Sequence, residues 1–238
     1  FLCLHYIFTP SAICAIFASM RIVLVHPAGS NWVPGKKDVT AVANRMAPLG
    51  LISIAAYLEK AGHTVFVYDC LGPGKPLDNR IHTQAILSYH PDMVGFSATT
   101  SGFLDGYELA ERIKLGRDQI TTVFGGVHIS SLGASLLKDY PAIDFLCIGE
   151  GEVTMAELAE GRSPASIQGI ARRGTDGPLT NPPREHIHDL DDLPFPAYEK
   201  LEGFPKGYSL PLFSYVLSPG ATMVTSRGCP YQCSFCDR

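Results

Sequence analysis

Three cysteines near the end of the sequence lie close enough together to bind one metal centre. Cys229, Cys233 and Cys236 form a Cys-x3-Cys-x2-Cys run within the segment GCPYQCSFC. A loop can wrap three cysteines at this spacing around a single metal centre. Soft thiolate ligands favour zinc, copper(I) or an iron–sulfur cluster. The run therefore predicts a metal site, against the plainer interpretation of three loop cysteines that bind nothing.

The number of ligands helps to separate the possible metals. A structural zinc site takes four protein ligands, and the sequence offers no fourth cysteine or histidine close to the run. Three cysteines instead suit a four-iron cluster in which one iron stays open to a substrate or cofactor. We therefore expect a [4Fe–4S] cluster on this motif, with zinc as the alternative.

The residues from Ser226 to Cys236 resemble the signature of radical S-adenosylmethionine proteins. The resemblance implies a [4Fe–4S] cluster on Cys229, Cys233 and Cys236, whose open iron binds the amino and carboxylate groups of S-adenosylmethionine. It also implies that an electron from the cluster cleaves the sulfonium to methionine and a 5′-deoxyadenosyl radical. Phe235 matches the aromatic position whose backbone lies against the adenine in that family, and packing beside the loop is its plainer role.

Upstream of the cysteines, short apolar runs alternate with amphipathic stretches from Met20 onward. The expected strands are 22–25, 64–68, 93–96, 121–124 and 143–148. The first expected helix has Pro48 in its first turn and Gly62 at its end, the second begins near Asp78, and three others cover 103–115, 130–138 and 152–160. Such apolar strands separated by helices predict a doubly wound, mainly parallel α/β fold of the Rossmann-like or flavodoxin-like type over residues 20–160. Ligands of this architecture bind beyond the carboxyl ends of the strands.

A connector is expected over residues 161–220, with a small strand at 167–173 that turns back at 174–177 and a proline-rich stretch from 178 onward. A last strand at 221–226 would lead into the cysteines. By the same resemblance, residues 221–238 are the first strand and cluster loop of a partial β/α barrel. We expect a fragment of a longer enzyme, inactive by itself, because the later barrel strands are not in this sequence.

The loops after the predicted strands resemble those of the cobalamin-binding domain that precedes many radical S-adenosylmethionine domains. The resemblance extends from Met20 to the end of the sequence and includes LPFPAY at 193–198. It implies a set of cofactor-binding residues: Ser97, Thr99, Gly125, Gly126, His128, Gly149, Glu150 and Gly151.

Each of these loop residues also has a plainer role. Ser97 and Thr99 could donate hydroxyl groups to a nucleotide tail or cap the next helix. Gly125–Gly126 could admit a flat macrocycle or make a tight turn. His128 could contact the corrin or serve as a hydrogen-bonded loop residue.

Two features limit what the resemblance implies. Glu150 and Glu152 lie at a predicted helix N-terminus, where the helix dipole alone favours carboxylates, so they mark the family without forming a catalytic pair. The loop after the first strand begins with His26 and lacks the Asp-x-His-x-x-Gly motif that supplies a histidine ligand to cobalt. We expect cobalamin without a protein histidine below the cobalt, and His26 is the nearby residue that could overturn this.

Composition and charge argue against several other classes. The 238 residues are 46% hydrophobic and 18% charged, with a net charge of −4 and no run of Lys or Arg, which argues against a nucleic-acid partner. A dinucleotide site lacks its GxGxxG fingerprint. Seven cysteines, an odd number with four scattered singly, argue against a disulfide framework and favour a reducing cytosol.

Residues 1–19 lack the cationic start of a signal peptide, and Thr9, Pro10 and Ser11 interrupt their apolar run. We expect an extension upstream of a protein that begins at Met20. A weak membrane-facing segment is the alternative, so no firm membrane association is expected.

The sequence thus favours the N-terminal part of a cobalamin-dependent radical S-adenosylmethionine enzyme. Such an enzyme would transfer a methyl group to an unactivated carbon or perform a related radical cyclisation or rearrangement on a small-molecule substrate. Its electron donor would be a flavodoxin or ferredoxin. The alternatives are a stand-alone cobalamin-binding module that serves a separate catalytic chain and a small zinc- or cluster-bearing regulatory protein.

Overall fold

The apolar run after Met20 forms the first strand of a parallel sheet. In this computed structural model, residues 19–29, 46–208, 220–229, 231, 233 and 234 are described. Strand β1 (Arg21–His26) lies between β2 (Thr64–Asp69) and β3 (Met93–Ser97), and β4 (Thr121–Gly125) and β5 (Phe145–Cys147) continue the sheet in parallel. The order β2-β1-β3-β4-β5 is the flavodoxin-like doubly wound order, which confirms the predicted fold class.

Helices cover both faces of this sheet. In chain order they are α1 (Leu49–Lys60), α2 (Asn79–Ser88), α3 (Phe103–Gly116), α4 (Val127–Leu132), α5 (Leu136–Asp139) and α6 (Glu152–Ala159). Alternate residues of β1 belong to different cores, because successive strand side chains point to opposite faces. Ile22 and Leu24 join the core that contains α1 and α6, whereas Val23 and Val25 join the core that contains α2 and α3. No helix in the described residues is both long enough and apolar enough to span a bilayer.

The helix boundaries follow the sequence signals closely. Pro48 is the N-cap of α1, one residue before the helix, and Gly62 follows its end with φ +94°. The side chain of Asp78 caps α2 by accepting the Arg80 backbone N–H at 2.9 Å. These caps fix where each helix enters and leaves the sheet layers.

The segment after β4 differs from the prediction. In place of one helix over 130–138, the structure has α4 and α5 separated by a 3-10 turn at Gly133–Ser135. Gly133 has φ +60°, which interrupts a regular helix. Helix α4 begins at Val127, immediately beyond Gly126, and β5 is three residues long where six were expected.

A hairpin extends the sheet beyond β5. Strands β6 (Ile170–Gly174) and β7 (Gly177–Thr180) are antiparallel, as the predicted turn at 174–177 implies, and β6 also pairs with β5. The sheet therefore has seven strands among the described residues and continues past residue 160, where the α/β domain was expected to end.

The connector returns to α1. Short 3-10 turns at Leu190–Asp192 and Tyr198–Lys200 interrupt it, and the Ala197 N–H donates to the Ile52 carbonyl at 3.0 Å. The strand predicted at 221–226 is not formed. An extended segment becomes a strand only through a hydrogen-bonded neighbour, and the described part of the chain places none beside it.

Candidate functional site

Strands β3, β4 and β5 end side by side and bring most of the predicted cofactor residues to one edge of the sheet. Ser97 ends β3 directly opposite Gly125, which ends β4. The loop after β5 contains Gly149, Glu150 and Gly151. We call this region the carboxyl edge: Ser97–Gly102, Gly125–His128 and Ile148–Gly151. It lies beside β1 and β3, where the strand order reverses and doubly wound proteins bind their ligands.

Gly126 allows the loops after β3 and β4 to touch. Its φ is +100°, and a Cβ there would lie 2.8 Å from the Ala98 carbonyl oxygen and 3.0 Å from the Ala98 nitrogen. The Ala98 N–H donates to the Gly125 carbonyl at 2.9 Å. A Cβ on Gly125 would instead meet Cys147 at an ordinary 3.5 Å. Glycine is therefore required at position 126 because Ala98, in the loop after β3, packs against it. This contact between the two loops forms the base of the carboxyl edge.

His128 connects the same two loops through its side chain. Its Nδ1 lies 3.2 Å from the Thr100 hydroxyl, and its ring lies 4.6 Å from the Phe103 ring, centroid to centroid. Partial burial lowers the pKa of His128, so the neutral imidazole is favoured at neutral pH. His128 therefore has the plainer role of a hydrogen-bonded loop residue in this structure. The same contacts orient the imidazole that a ligand would meet.

Hydroxyl groups line the β3 side of the edge. The Thr99 hydroxyl accepts the Gly102 N–H at 3.4 Å and lies 3.1 Å from the Ser101 hydroxyl, in the turn that leads into α3. Thr99 and Thr100 are exposed, whereas Ser97 is half-buried near Gly126. Thr99 therefore takes part in a helix-entry turn and still presents its side chain to solvent.

The surface of the carboxyl edge combines apolar area with exposed hydroxyl groups. Val127, next to Gly126, is 65% exposed and offers apolar area beside the exposed threonines. Gly149 has φ +83°, and a Cβ built on it would meet no atom within 4 Å, so the space beside this residue is open. Gly151 has a different role, because a Cβ on it would lie 2.7 Å from the Ile54 side chain of α1.

The two glutamates after β5 make contacts within the chain that the sequence analysis missed. Glu152 is 3% exposed and accepts hydrogen bonds from the Ser53 hydroxyl at 2.8 Å and from Arg227 Nη2 at 2.5 Å. Glu150 accepts the Ile187 N–H at 2.8 Å and lies 3.3 Å from Arg227 Nη1. Burial alone would raise the pKa of Glu152, but the Arg227 and Ser53 contacts outweigh it and lower that pKa. No sequence signal links Glu152 to an arginine 75 residues away.

The cysteine motif is only partly within the described residues. Cys229 and Cys233 are exposed free thiols, whereas Cys236 and Phe235 lie outside the described residues. Within the described ranges no three His, Cys, Asp or Glu residues are arranged to hold a metal, a finding that does not include the complete motif. Burial raises the pKa of Cys147 to about 12, so this thiol is a poorer metal ligand than the exposed thiols of Cys229 and Cys233.

His26 is the last residue of β1. Its Nδ1 is 2.9 Å from Asp69 Oδ1, and Asp69 Oδ2 accepts the Tyr208 hydroxyl at 3.1 Å. A carboxylate on one ring nitrogen orients a histidine and leaves Nε2 as the nitrogen that could bind a metal. A cavity of about 210 Å³ opens beside Asp69 and Tyr208, and no residue of the carboxyl edge lines it.

Comparisons with known proteins place this geometry in context. The chain is similar to the uncharacterized methyltransferase PH0819 of Pyrococcus horikoshii, with 31% identity over 224 residues, 91% of this chain and 45% of that protein. It is also similar to the anaerobic magnesium-protoporphyrin IX monomethyl ester cyclase of Rubrivivax gelatinosus, with 30% identity over 227 residues, 92% of this chain and 39% of that protein. The chain thus spans less than half the length of these relatives.

A solved structure shows the same fold. The radical S-adenosylmethionine methyltransferase TsrM from Kitasatospora setae, with cobalamin and a [4Fe-4S] cluster bound, matches with a TM-score of 0.53 and 24% identity, over 76% of this chain and 32% of that one. A family model described as the B12 binding domain matches residues 35–159. Because that match takes in more than half of the 238 residues, the chain belongs to the B12-binding domain family.

Proposed function

We propose that this chain is the N-terminal part of a cobalamin-dependent radical S-adenosylmethionine enzyme. One observation carries the proposal: two exposed free thiols of the cysteine motif, Cys229 and Cys233, follow an arginine that contacts the carboxyl-edge loop of a B12-binding domain. In this proposal, the contacts of Arg227 with Glu150 and Glu152 join the cobalamin site to the soft-metal motif within one chain. That is the arrangement an enzyme with both cofactors needs.

In this proposal the carboxyl edge holds the cobalamin. Thr99 and Thr100 offer exposed hydroxyls, His128 offers an oriented neutral imidazole, and Gly149 leaves the edge open. Ser97, Gly125, Gly126, Glu150 and Gly151 shape the loops around that surface. These groups bind and orient the cofactor, which itself supplies the methyl-carrying chemistry.

The cysteines would hold the second cofactor. Cys229, Cys233 and Cys236 would ligate three irons of a [4Fe–4S] cluster, and Phe235 would lie against the adenine of S-adenosylmethionine. When bound, that pair supplies a carbon radical by reductive cleavage of the sulfonium. The chain's own part is to present three thiolates on one loop, which the exposure of Cys229 and Cys233 supports.

The reaction we propose is methyl transfer to an unactivated carbon, or a related radical cyclisation or rearrangement, on a small-molecule substrate. Support comes from the relatives, one described as a methyltransferase and the other as a cyclase. A flavodoxin or ferredoxin in the cytoplasm would deliver the electron. The −4 net charge without a basic run favours neither a nucleic acid nor an anionic membrane as partner.

A stand-alone cobalamin-binding module is the second candidate. It is favoured by the sheet itself, whose strands β1 to β5 are covered on both faces by helices of the same domain. Such a domain could bind cobalamin while a separate chain performs the radical step. Cluster content distinguishes the two functions, because a module needs no iron.

The test is anaerobic reconstitution of the chain with ferrous iron and sulfide. We expect about four irons and four sulfides per chain, lost in Cys233→Ala and kept in the neighbouring Ser234→Ala. A parent chain that holds neither iron nor sulfide would reject the enzyme proposal, and zinc alone would favour a regulatory protein. Turnover of S-adenosylmethionine to 5′-deoxyadenosine is then assayed in the full-length enzyme, because this part of it is expected to be inactive by itself.

Cobalamin binding is tested separately by titrating the chain with aquacobalamin and following the absorption spectrum. Saturable binding is expected, and its absence would reject both candidates. In the cob(II)alamin state we expect no nitrogen superhyperfine splitting in the electron paramagnetic resonance spectrum. Splitting that disappears in His26→Ala would instead identify His26 Nε2 as the lower ligand.

A further inference from the structure

Three separate parts of the chain meet at the buried carboxylate of Glu152. Ser53 comes from α1, Glu152 from the first turn of α6, and Arg227 from the segment that carries the cysteines. Arg227 also reaches Glu150 with its other terminal nitrogen, 3.3 Å away. We call these residues the latch: Ser53, Glu150, Glu152 and Arg227.

The residue types of the latch suit a contact that keeps separate parts of the chain in fixed positions. A carboxylate as buried as Glu152 is costly unless a cation and hydrogen bonds compensate it, and Arg227 and Ser53 supply both. The guanidinium is a planar fork that can bridge two carboxylates at a more fixed geometry than a lysine ammonium provides. Glu150 and Glu152 present those two carboxylates from one short loop.

The latch lies between the two candidate cofactor sites. Arg227 is two residues before Cys229, and Glu150 follows Gly149 on the carboxyl edge. A second contact supports the same segment, because the Tyr198 hydroxyl donates to the Thr222 carbonyl. The segment has no strand of its own over 221–226, so side chains must supply what a sheet ladder would otherwise provide.

We propose that Arg227 is a positioning residue, and that the latch fixes the cysteine loop against the carboxyl edge and thereby sets the cluster's place relative to the cobalamin. The contact itself stands on the geometry above, whereas its meaning for a cluster rests on the proposed function. Two experiments on the 238-residue chain address these parts separately.

The first experiment measures how fast trypsin cuts the Arg227–Gly228 bond, by mass spectrometry of the products. Trypsin must take the Arg227 side chain into its own pocket, so Arg227 has to leave Glu152 before cleavage. Glu152→Gln keeps the shape of the side chain and an oxygen for Ser53 but removes the charge, and we expect cleavage about fivefold faster or more. Arg227→Lys, which trypsin also cuts, should lie between the two.

Glu157→Gln is the matched control. It removes a carboxylate from the same helix, one that pairs with Arg162 and Arg184 and does not contact the latch. Its cleavage rate after Arg227 should equal that of the parent, and thermal melts identify any variant whose fold is lost. Equal rates in the parent, Glu152→Gln and Arg227→Lys would overturn the latch.

The second experiment follows iron loss to a chelator after anaerobic reconstitution with ferrous iron and sulfide. Glu152→Gln should lose iron about fivefold faster than Glu157→Gln, because its cysteine loop is no longer held. Equal loss from both variants would overturn the positioning role. A parent that takes up no iron would reject the proposed function, while the cleavage rates would still decide whether the latch exists.

Discussion

Gly126 shows how one residue type can be required by its own chain. Replacing it with alanine forces a side chain into φ +100° and brings a Cβ to 2.8 Å from the Ala98 carbonyl oxygen. We expect Gly126→Ala to lower the free energy of unfolding by roughly 2–4 kcal/mol, because strained backbone and a backbone contact add. Urea unfolding followed by circular dichroism measures this loss.

Gly62→Ala separates the cost of backbone strain from the cost of the contact with Ala98. Gly62 has a similar φ of +94°, but a Cβ there would meet nothing within 4 Å. Its expected loss is roughly 1 kcal/mol, from backbone strain alone. Equal losses at the two positions would mean that the contact with Ala98 carries no cost.

The sequence could name Gly126 but could not decide its reason. Two adjacent glycines after a strand predict a turn, and they are equally compatible with an approaching ligand. The contact that decides the matter comes from Ala98, on another loop, and depends on the register Ser97–Gly125. The same limit applies to Glu152, whose partners Ser53 and Arg227 are distant in sequence.

At the scale of elements, the β6–β7 hairpin is held to the helices by Arg173. Its guanidinium donates to the carbonyls of Leu137 at 3.1 Å and Tyr140 at 2.9 Å, at the end of α5, and also to the Ile143 carbonyl. A cation at the carbonyl end of a helix is favourable, and charged hydrogen bonds are stronger than neutral ones.

Arg173 is itself exposed, so water can partly replace its contacts, and we expect Arg173→Gln to lower the free energy of unfolding by about 0.5–1.5 kcal/mol because the carbonyls lose a charged donor. Lys138→Gln is the comparison, since Lys138 is exposed on α5 itself and should change stability by less than about 0.5 kcal/mol. Urea unfolding of both variants measures the difference, and similar values for the two would refute the role of Arg173.

Elements with strong local signals were predicted well. Five parallel strands and the helices between them follow from apolar runs, from Pro48 and Asp78 at helix starts and from Gly62 at a helix end. The features that depend on distant partners were not predicted correctly. The hairpin's place in the same sheet needs the edge of β5, and the expected strand at 221–226 finds no neighbour among the described residues.

For the whole molecule, two buried histidines predict how stability depends on pH. Burial lowers the pKa of His63 and, together with the nearby charge of Lys75, that of His82. In the unfolded chain both titrate near their ordinary value of about 6.5. Between that value and the lower folded pKa, the unfolded state binds more protons, so the folded state loses stability as pH falls.

The free energy of unfolding should therefore be lower at pH 5.5 than at pH 7.5, with a slope of at most about 1.4 kcal/mol per pH unit for each histidine. Urea unfolding across this range measures the slope. His82→Gln should reduce it whatever its effect on absolute stability, whereas His186→Gln, at an exposed position, should leave it unchanged. A slope of zero, or a rise in stability on acidification, would contradict the assignment.

The outer strand β7 also affects how copies of the molecule can meet. It is four residues long and contains Pro178, which has no N–H to offer, and it forms the last strand of the sheet in the described chain. Short edges with a proline are poor templates for an incoming strand. Pairing of β7 with a strand of another copy is therefore disfavoured. We expect this side of the sheet to resist edge-to-edge aggregation when many newly made chains are close together.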